Sequence, residues 1–161
     1  MLISDLPGVD VVVDVGASPA SVWELVADIN TPALFSSEFL RAEWVDASAP
    51  LVGSQFRGHN RRGEFEWSTL CTAVEFEPPR VFAWAVEYLD APVATWTFEV
   101  ESQGNGTSLR MRARLGPGRS GLTMAVEANP EKEHRIVERR MQEWRHNMTA
   151  TIEGIKGLVE R

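Results

Sequence analysis

The sequence predicts an α+β domain in which a curved, seven-stranded antiparallel sheet wraps around a long C-terminal helix. Three observations predict it. Six successive strand-like runs joined by short turns fill the middle of the chain, a Val-rich strand and a broken helical segment precede them, and an amphipathic helical stretch closes the chain.

The Val-rich run over 8–16 reads as the first strand, and Ser18-Pro19 then supplies an N-cap followed by proline at the first helical position. Val22, Trp23, Val26 and Ile29 recur at helical spacing until Asn30-Thr31-Pro32 interrupts them. A second short helical turn is expected at 33–36.

Strand-like runs follow at 39–45, 54–60, 64–76, 81–88, 93–101 and 107–115. Their links, including Arg61-Arg62-Gly63, Pro78-Pro79 and Asp90-Ala91-Pro92, are shorter than the dozen or so residues a parallel crossover needs. Neighbouring strands therefore pair as antiparallel hairpins, with Asn105-Gly106 the strongest turn signal. Phe82, Trp84, Val86 and Tyr88 share one strand face, as do Trp96, Phe98 and Val100, and Leu109, Met111, Ala113 and Leu115. The alternating partners, such as Thr95, Glu99, Arg110 and Arg112, are polar. Gly58, Gly63 and a phase switch between Phe65-Trp67 and Leu70-Thr72-Val74-Phe76 predict a bulge that bends the sheet.

A short helix is expected at 120–128, and Asn129-Pro130 caps the start of a long one that reaches almost to Arg161. Glu131 with Arg135 and Arg139 with Glu143 are spaced as i,i+4 pairs on its exposed side. Val137, Met141, Trp144, Met148, Ile152 and Ile155 form its apolar stripe. One helix about 10 Å wide does not fill the hollow of a curved sheet, so the space holds either a ligand or a solid core of large side chains. In both cases Trp67, Phe82, Trp84, Trp96, Phe98, Met111, Met141, Trp144 and Met148 are the expected walls. Asn60 shares the inward parity of Phe56 and Gly58, and Tyr88 shares that of Trp84, which would bring its hydroxyl to the rim. Both are candidate ligand contacts, although Asn60 could instead satisfy a turn and Tyr88 its own backbone surroundings; His59 is expected to point outward.

Composition narrows the function classes. With 161 residues, 43% hydrophobic and 24% charged, the chain reads as a single domain over 1–161 with a substantial core. A net charge of -7 with scattered or paired cations argues against a nucleic-acid partner. The longest apolar run, 81–86, falls far short of the roughly 20 residues that cross a bilayer, so no integral membrane insertion is expected. Asp5 and Pro7 precede any apolar run and no basic stretch comes before them, so a cytoplasmic location is the expectation. Cys71 is the only cysteine and reads as a small buried hydrophobe. Gly116-Pro117-Gly118-Arg119-Ser120-Gly121 matches a dinucleotide fingerprint, but it follows an antiparallel meander and no βα alternation surrounds it, so it reads as a turn. His134 and His146 lie twelve residues apart and out of phase on the helix, and no metal or cofactor is expected.

The order of elements resembles the helix-grip fold of the START-like (SRPBCC) superfamily. The segment Val-Asp-Val-Gly-Ala-Ser-Pro-Ala-Ser-Val-Trp-Glu-Leu-Val-Ala-Asp, ending at Asp28, is similar to the opening strand and helix of its polyketide cyclase/dehydrase and lipid-transport group. So are Gly53-Ser-Gln-Phe-Arg-Gly-His-Asn60, Trp67, Val74-Glu-Phe-Glu-Pro-Pro-Arg80 and Gly106-Thr107. The resemblance implies a real cavity that binds a small hydrophobic molecule such as an aromatic polyketide, a lipid or a sterol. It leaves open a cyclase, aromatase or dehydratase acting in that cavity, a protein-interaction scaffold, and a homodimer as the assembled form. The group shares no universal catalytic motif, so it assigns no catalytic residue here.

Overall fold

The computed structural model describes residues 1–46 and 49–161. Strand β1 (Gly8–Val15) leads through α1 (Pro19–Val26) and a 3-10 turn (Thr31–Leu34) to β2 (Phe39–Trp44). An antiparallel meander follows: β3 (Gln55–Arg62), β4 (Phe65–Glu77), β5 (Val81–Val86), β6 (Ala94–Gln103) and β7 (Gly106–Leu115). Helix α2 (Gly121–Ala128), a further 3-10 turn (Pro130–Lys132) and α3 (Glu133–Val159) close the chain, and another 3-10 turn (Ile3–Asp5) precedes β1.

The sheet runs β1-β7-β6-β5-β4-β3-β2, so the first two strands form its opposite edges. The chain between them, α1 and the 3-10 turn, therefore spans one end of the sheet. Ser18 caps α1, its Oγ accepting from the Ser21 N–H at 3.2 Å. Asn30 anchors the far end to β2: its Oδ1 accepts from the Ala42 N–H at 2.8 Å and its Nδ2 donates to the Ala42 carbonyl at 3.0 Å.

One face of the sheet is apolar and packs on α3, where Val137, Met141, Trp144, Met148, Ile152 and Ile155 are all buried. This stripe is the one the spacing predicts, with Thr151 buried beside it. The opposite face carries ionic rows: Arg112 reaches Asp10 on β1 and Glu99 on β6, both at 3.3 Å. Sheet curvature comes from two register shifts, one between Phe39 and Arg41 and one between Ala73 and Glu75.

Several expectations need correction. The bulge in β4 lies at Ala73–Glu75, not near Leu70, since β3 and β4 pair without interruption from Gln55↔Thr72 to Arg62↔Phe65. Inward parity consequently belongs to Trp67, Thr69, Cys71 and Ala73 and passes to Phe76 only after the bulge, leaving Val74 outside. β5 ends at Val86 because Glu87 takes a positive φ of 70°, which breaks the alternation before Tyr88. Asn129 makes no side-chain cap, and a 3-10 turn intervenes before α3. Neither predicted i,i+4 pair forms among the described residues; Glu143 instead meets Arg140 and Arg62.

A candidate ligand cavity under the C-terminal helix

Between the concave face and α3 lies a cavity of about 180 Å³. Alternation along each strand brings the large side chains to it. Phe56 on β3, Trp67 on β4, Phe82 and Trp84 on β5, Trp96 and Phe98 on β6 and Met111 on β7 form the sheet wall. Trp144 and Met148 hang from α3 as the roof, and Ile29 and Pro32 close the end spanned by the first helix and turn.

The aromatic rings lock one another at tilted or edge-on angles. Trp84 lies 5.0 Å from Phe82, 5.7 Å from Phe56 and 6.0 Å from Phe98, centroid to centroid. Trp96 meets Trp144 at 4.9 Å across the space between sheet and helix. Such contacts fix the rings at separations favourable for aromatic pairs, so the hollow is bounded by rigid surface rather than by loose side chains.

Polar groups are concentrated at one end. Glu38, just before β2, grips Arg140 of α3 through both carboxylate oxygens, Nη1–Oε1 at 2.7 Å and Nη2–Oε2 at 3.0 Å. Burial works against the Arg140 charge, but the Glu38 and Glu143 carboxylates outweigh it and raise the guanidinium pKa above its ordinary value. Beside this pair, Asn147 Oδ1 accepts from both the backbone N–H and the hydroxyl of Ser37, each at 3.0 Å. Ser36 Oγ accepts from the Glu38 and Phe39 N–H groups at 3.1 Å. Asn60, paired opposite Phe39, completes this end.

Of the residues proposed from sequence, Asn60, Trp67, Phe82, Trp84, Trp96, Phe98, Met111, Trp144 and Met148 line the cavity. Tyr88 and Met141 do not. Tyr88 is 55% exposed in the turn after β5, and Met141 is buried in the core beside the cavity rather than on its wall. His59 faces the other side of the sheet, with Nε2 2.7 Å from Glu43 and Nδ1 2.8 Å from the Ser68 hydroxyl. Sequence reasoning missed Ser36, Glu38, Arg140 and Asn147. The helical pair was legible, since Arg140 and Asn147 stand at i-4 and i+3 from Trp144 and so share its face. Ser36 and Glu38 lie in a connecting loop with no periodicity to betray them.

Cys71 also reaches the cavity wall, and burial pushes its thiol up to about 12. Asp28, at the edge, is exposed and accepts from the Asn30 N–H at 2.8 Å. No group of three or more His, Cys, Asp or Glu able to hold a metal occurs among the described residues, and no helix is long and apolar enough to cross a membrane.

A curved sheet gripping one long helix over a hollow defines the helix-grip class. The sequence matches the family model for polyketide cyclase / dehydrase and lipid transport over residues 7–153, and the chain belongs to that family. A polyketide-cyclase-like protein from Corynebacterium glutamicum has a similar solution structure, with a TM-score of 0.71 and 24% identity over 95% of this chain and 91% of that one. The ZhuI aromatase/cyclase from Streptomyces gives 0.72 at 18% identity, covering 97% and 94%. One half of the di-domain aromatase/cyclase BexL gives 0.73 at 15% identity, covering 99% of this chain and 53% of that one. At these identities the likeness is one of fold. Among curated proteins no match is found.

Proposed function

We propose that the protein binds a small hydrophobic molecule of one or two rings in the cavity under α3. The observation that carries this reading is the partly open cavity of about 180 Å³ walled by tryptophan, phenylalanine and methionine. Its size sets the class of occupant. An engineered apolar cavity of about 150 Å³ takes benzene, whereas drug-sized ligands occupy roughly 300–1,000 Å³. A single or fused pair of rings fits without rearrangement; a sterol or a long acyl chain requires the Trp and Met walls to move. Family membership supports a hydrophobic occupant.

Thermal denaturation with a panel of ring compounds, fatty acids and sterols tests the proposal. A ligand at a hundred times its Kd stabilises by about 2.7 kcal/mol, which for a domain of this size raises Tm by roughly 5–10 °C. The small ring compounds are expected to give that shift and the sterols none. A panel without any shift would contradict the proposal.

A second reading, a cyclase or dehydratase using the same cavity, is supported by the family description and by amide donors able to polarise a carbonyl, Asn60 and Asn147. Binding ranks first because the titratable groups on the wall are already engaged or inert. Glu38 is held by Arg140 through both oxygens, the Cys71 thiol is protonated, and Asp28 stands exposed at the edge with its Oδ1 accepting from the Asn30 N–H. Product formed from a ring-closing substrate and abolished by Asn60→Ala, with binding intact, would favour the enzyme.

A further inference from the structure

The polar end of the cavity carries amide and hydroxyl donors without a partner among the described residues, and these donors select the chemistry of the occupant. We infer, resting on the binding reading above, that the ligand is a neutral ring compound whose carbonyl oxygen is held by the side-chain amide of Asn147.

The orientation of Asn147 is settled by Ser37. Its Oδ1 accepts from a backbone N–H, which can only donate, and from the Ser37 hydroxyl. The amide therefore turns Nδ2 and its two hydrogens away from Ser37, and among the described residues Nδ2 has no hydrogen-bond partner. Among the described residues no side-chain polar atom is both fully buried and unpartnered, and Asn147 lines the cavity, so this amide group is open to a partner from outside the protein. Ser36 adds a hydroxyl proton, since its oxygen already accepts from two N–H groups. Asn60, whose side chain has no hydrogen-bond partner among the described residues, supplies further donors beside one more acceptor, its Oδ1.

The charged groups here exclude an acid. Arg140 is the one cationic residue on the cavity wall among the described residues, and its guanidinium is already met by both oxygens of Glu38 and, at 3.5 Å, by Glu143. A ligand carboxylate would enter beside Glu38 and find the cation neutralised. A ketone, ester or quinone oxygen needs only the donors that are free, while the apolar end takes the ring against Trp84, Phe98 and Met111. Asn147 is thus a specificity-determining residue.

Acetophenone, ethylbenzene and benzoate are close in size and differ in the group presented to this end, and calorimetric Kd values for the three test the inference. In Asn147→Leu the ratio of acetophenone to ethylbenzene affinity should fall roughly two- to tenfold, the worth of a neutral hydrogen bond, with ethylbenzene bound as before. Asn147→Asp keeps the acceptor for Ser37 but loses the donors, so the same fall is expected with the loop still anchored. Benzoate should bind more weakly than acetophenone in the natural protein. An unchanged ratio in both variants, or benzoate binding more tightly, overturns the carbonyl assignment while leaving the binding reading standing. Failure of ethylbenzene and acetophenone alike to bind the natural protein overturns both.

Discussion

The thiol of Cys71 illustrates how position in this fold decides chemistry. The residue is 4% exposed, and desolvation of the thiolate, only partly offset by the Thr69 hydroxyl, pushes its pKa up to about 12. The native protein should therefore resist dithionitrobenzoate at pH 8 and react fully once unfolded, as read by absorbance. Rapid reaction of the folded protein would contradict this placement. The linkage has a definite sign: the folded pKa lies above the ordinary thiol value of about 8.5, so this contribution to stability is complete below that value and declines as pH climbs from there toward about 12. At this scale the sequence was informative wherever strand alternation ran unbroken. Trp84, Trp96 and Met111 reach the cavity as their parity requires. Tyr88 does not, because the positive φ at Glu87 ends the alternation one residue earlier, and a glutamate carries no warning of that conformation.

The segment between α1 and β2 is the element on which the polar end depends, and besides its Ser37–Asn147 and Glu38–Arg140 bonds to α3 it packs closely on that helix at a glycine. At Gly154 a Cβ would overlap the ring of Phe35, so the absence of a side chain is what lets the loop lie against the helix. Helix propensity alone predicts that Gly154→Ala stabilises by about 1 kcal/mol. Displacement of Phe35 costs about 1–3 kcal/mol in strained packing, so Tm is expected to fall. A rise in Tm would mean that the loop yields freely. Elements as a class were readable in the sequence because seven strands and three helices each announce their period. Their fine registration was not. The bulge in β4 falls at Ala73–Glu75, where Thr72, Cys71 and Ala73 are small enough to suit either face, so the pattern there does not fix the phase. The start of α3 was likewise blurred, because the proline at 130 suits a 3-10 turn as well as an α-helical first turn.

For the whole molecule, alternation and helical spacing tell which side chains face one another, but not how far apart they stop. That is why the hollow and the solid core were equally consistent with the residues, and why the resemblance to a known family was needed to favour the former. In three dimensions the sheet curves at two register shifts, the rings brace one another at 5–6 Å, and a space is left that they do not close. A bound ring in that space must touch particular atoms. Of the five methionines, Met111 and Met148 line the cavity, while Met1 and Met124 are exposed on the surface. Titration of methyl-labelled protein with acetophenone, followed by NMR, tests the central claim most directly. Saturable shifts of the Met111 and Met148 methyl signals, with Met1 and Met124 unmoved, are the predicted result; shifts confined to Met1 or Met124, or no saturable shift in any of them, would contradict it.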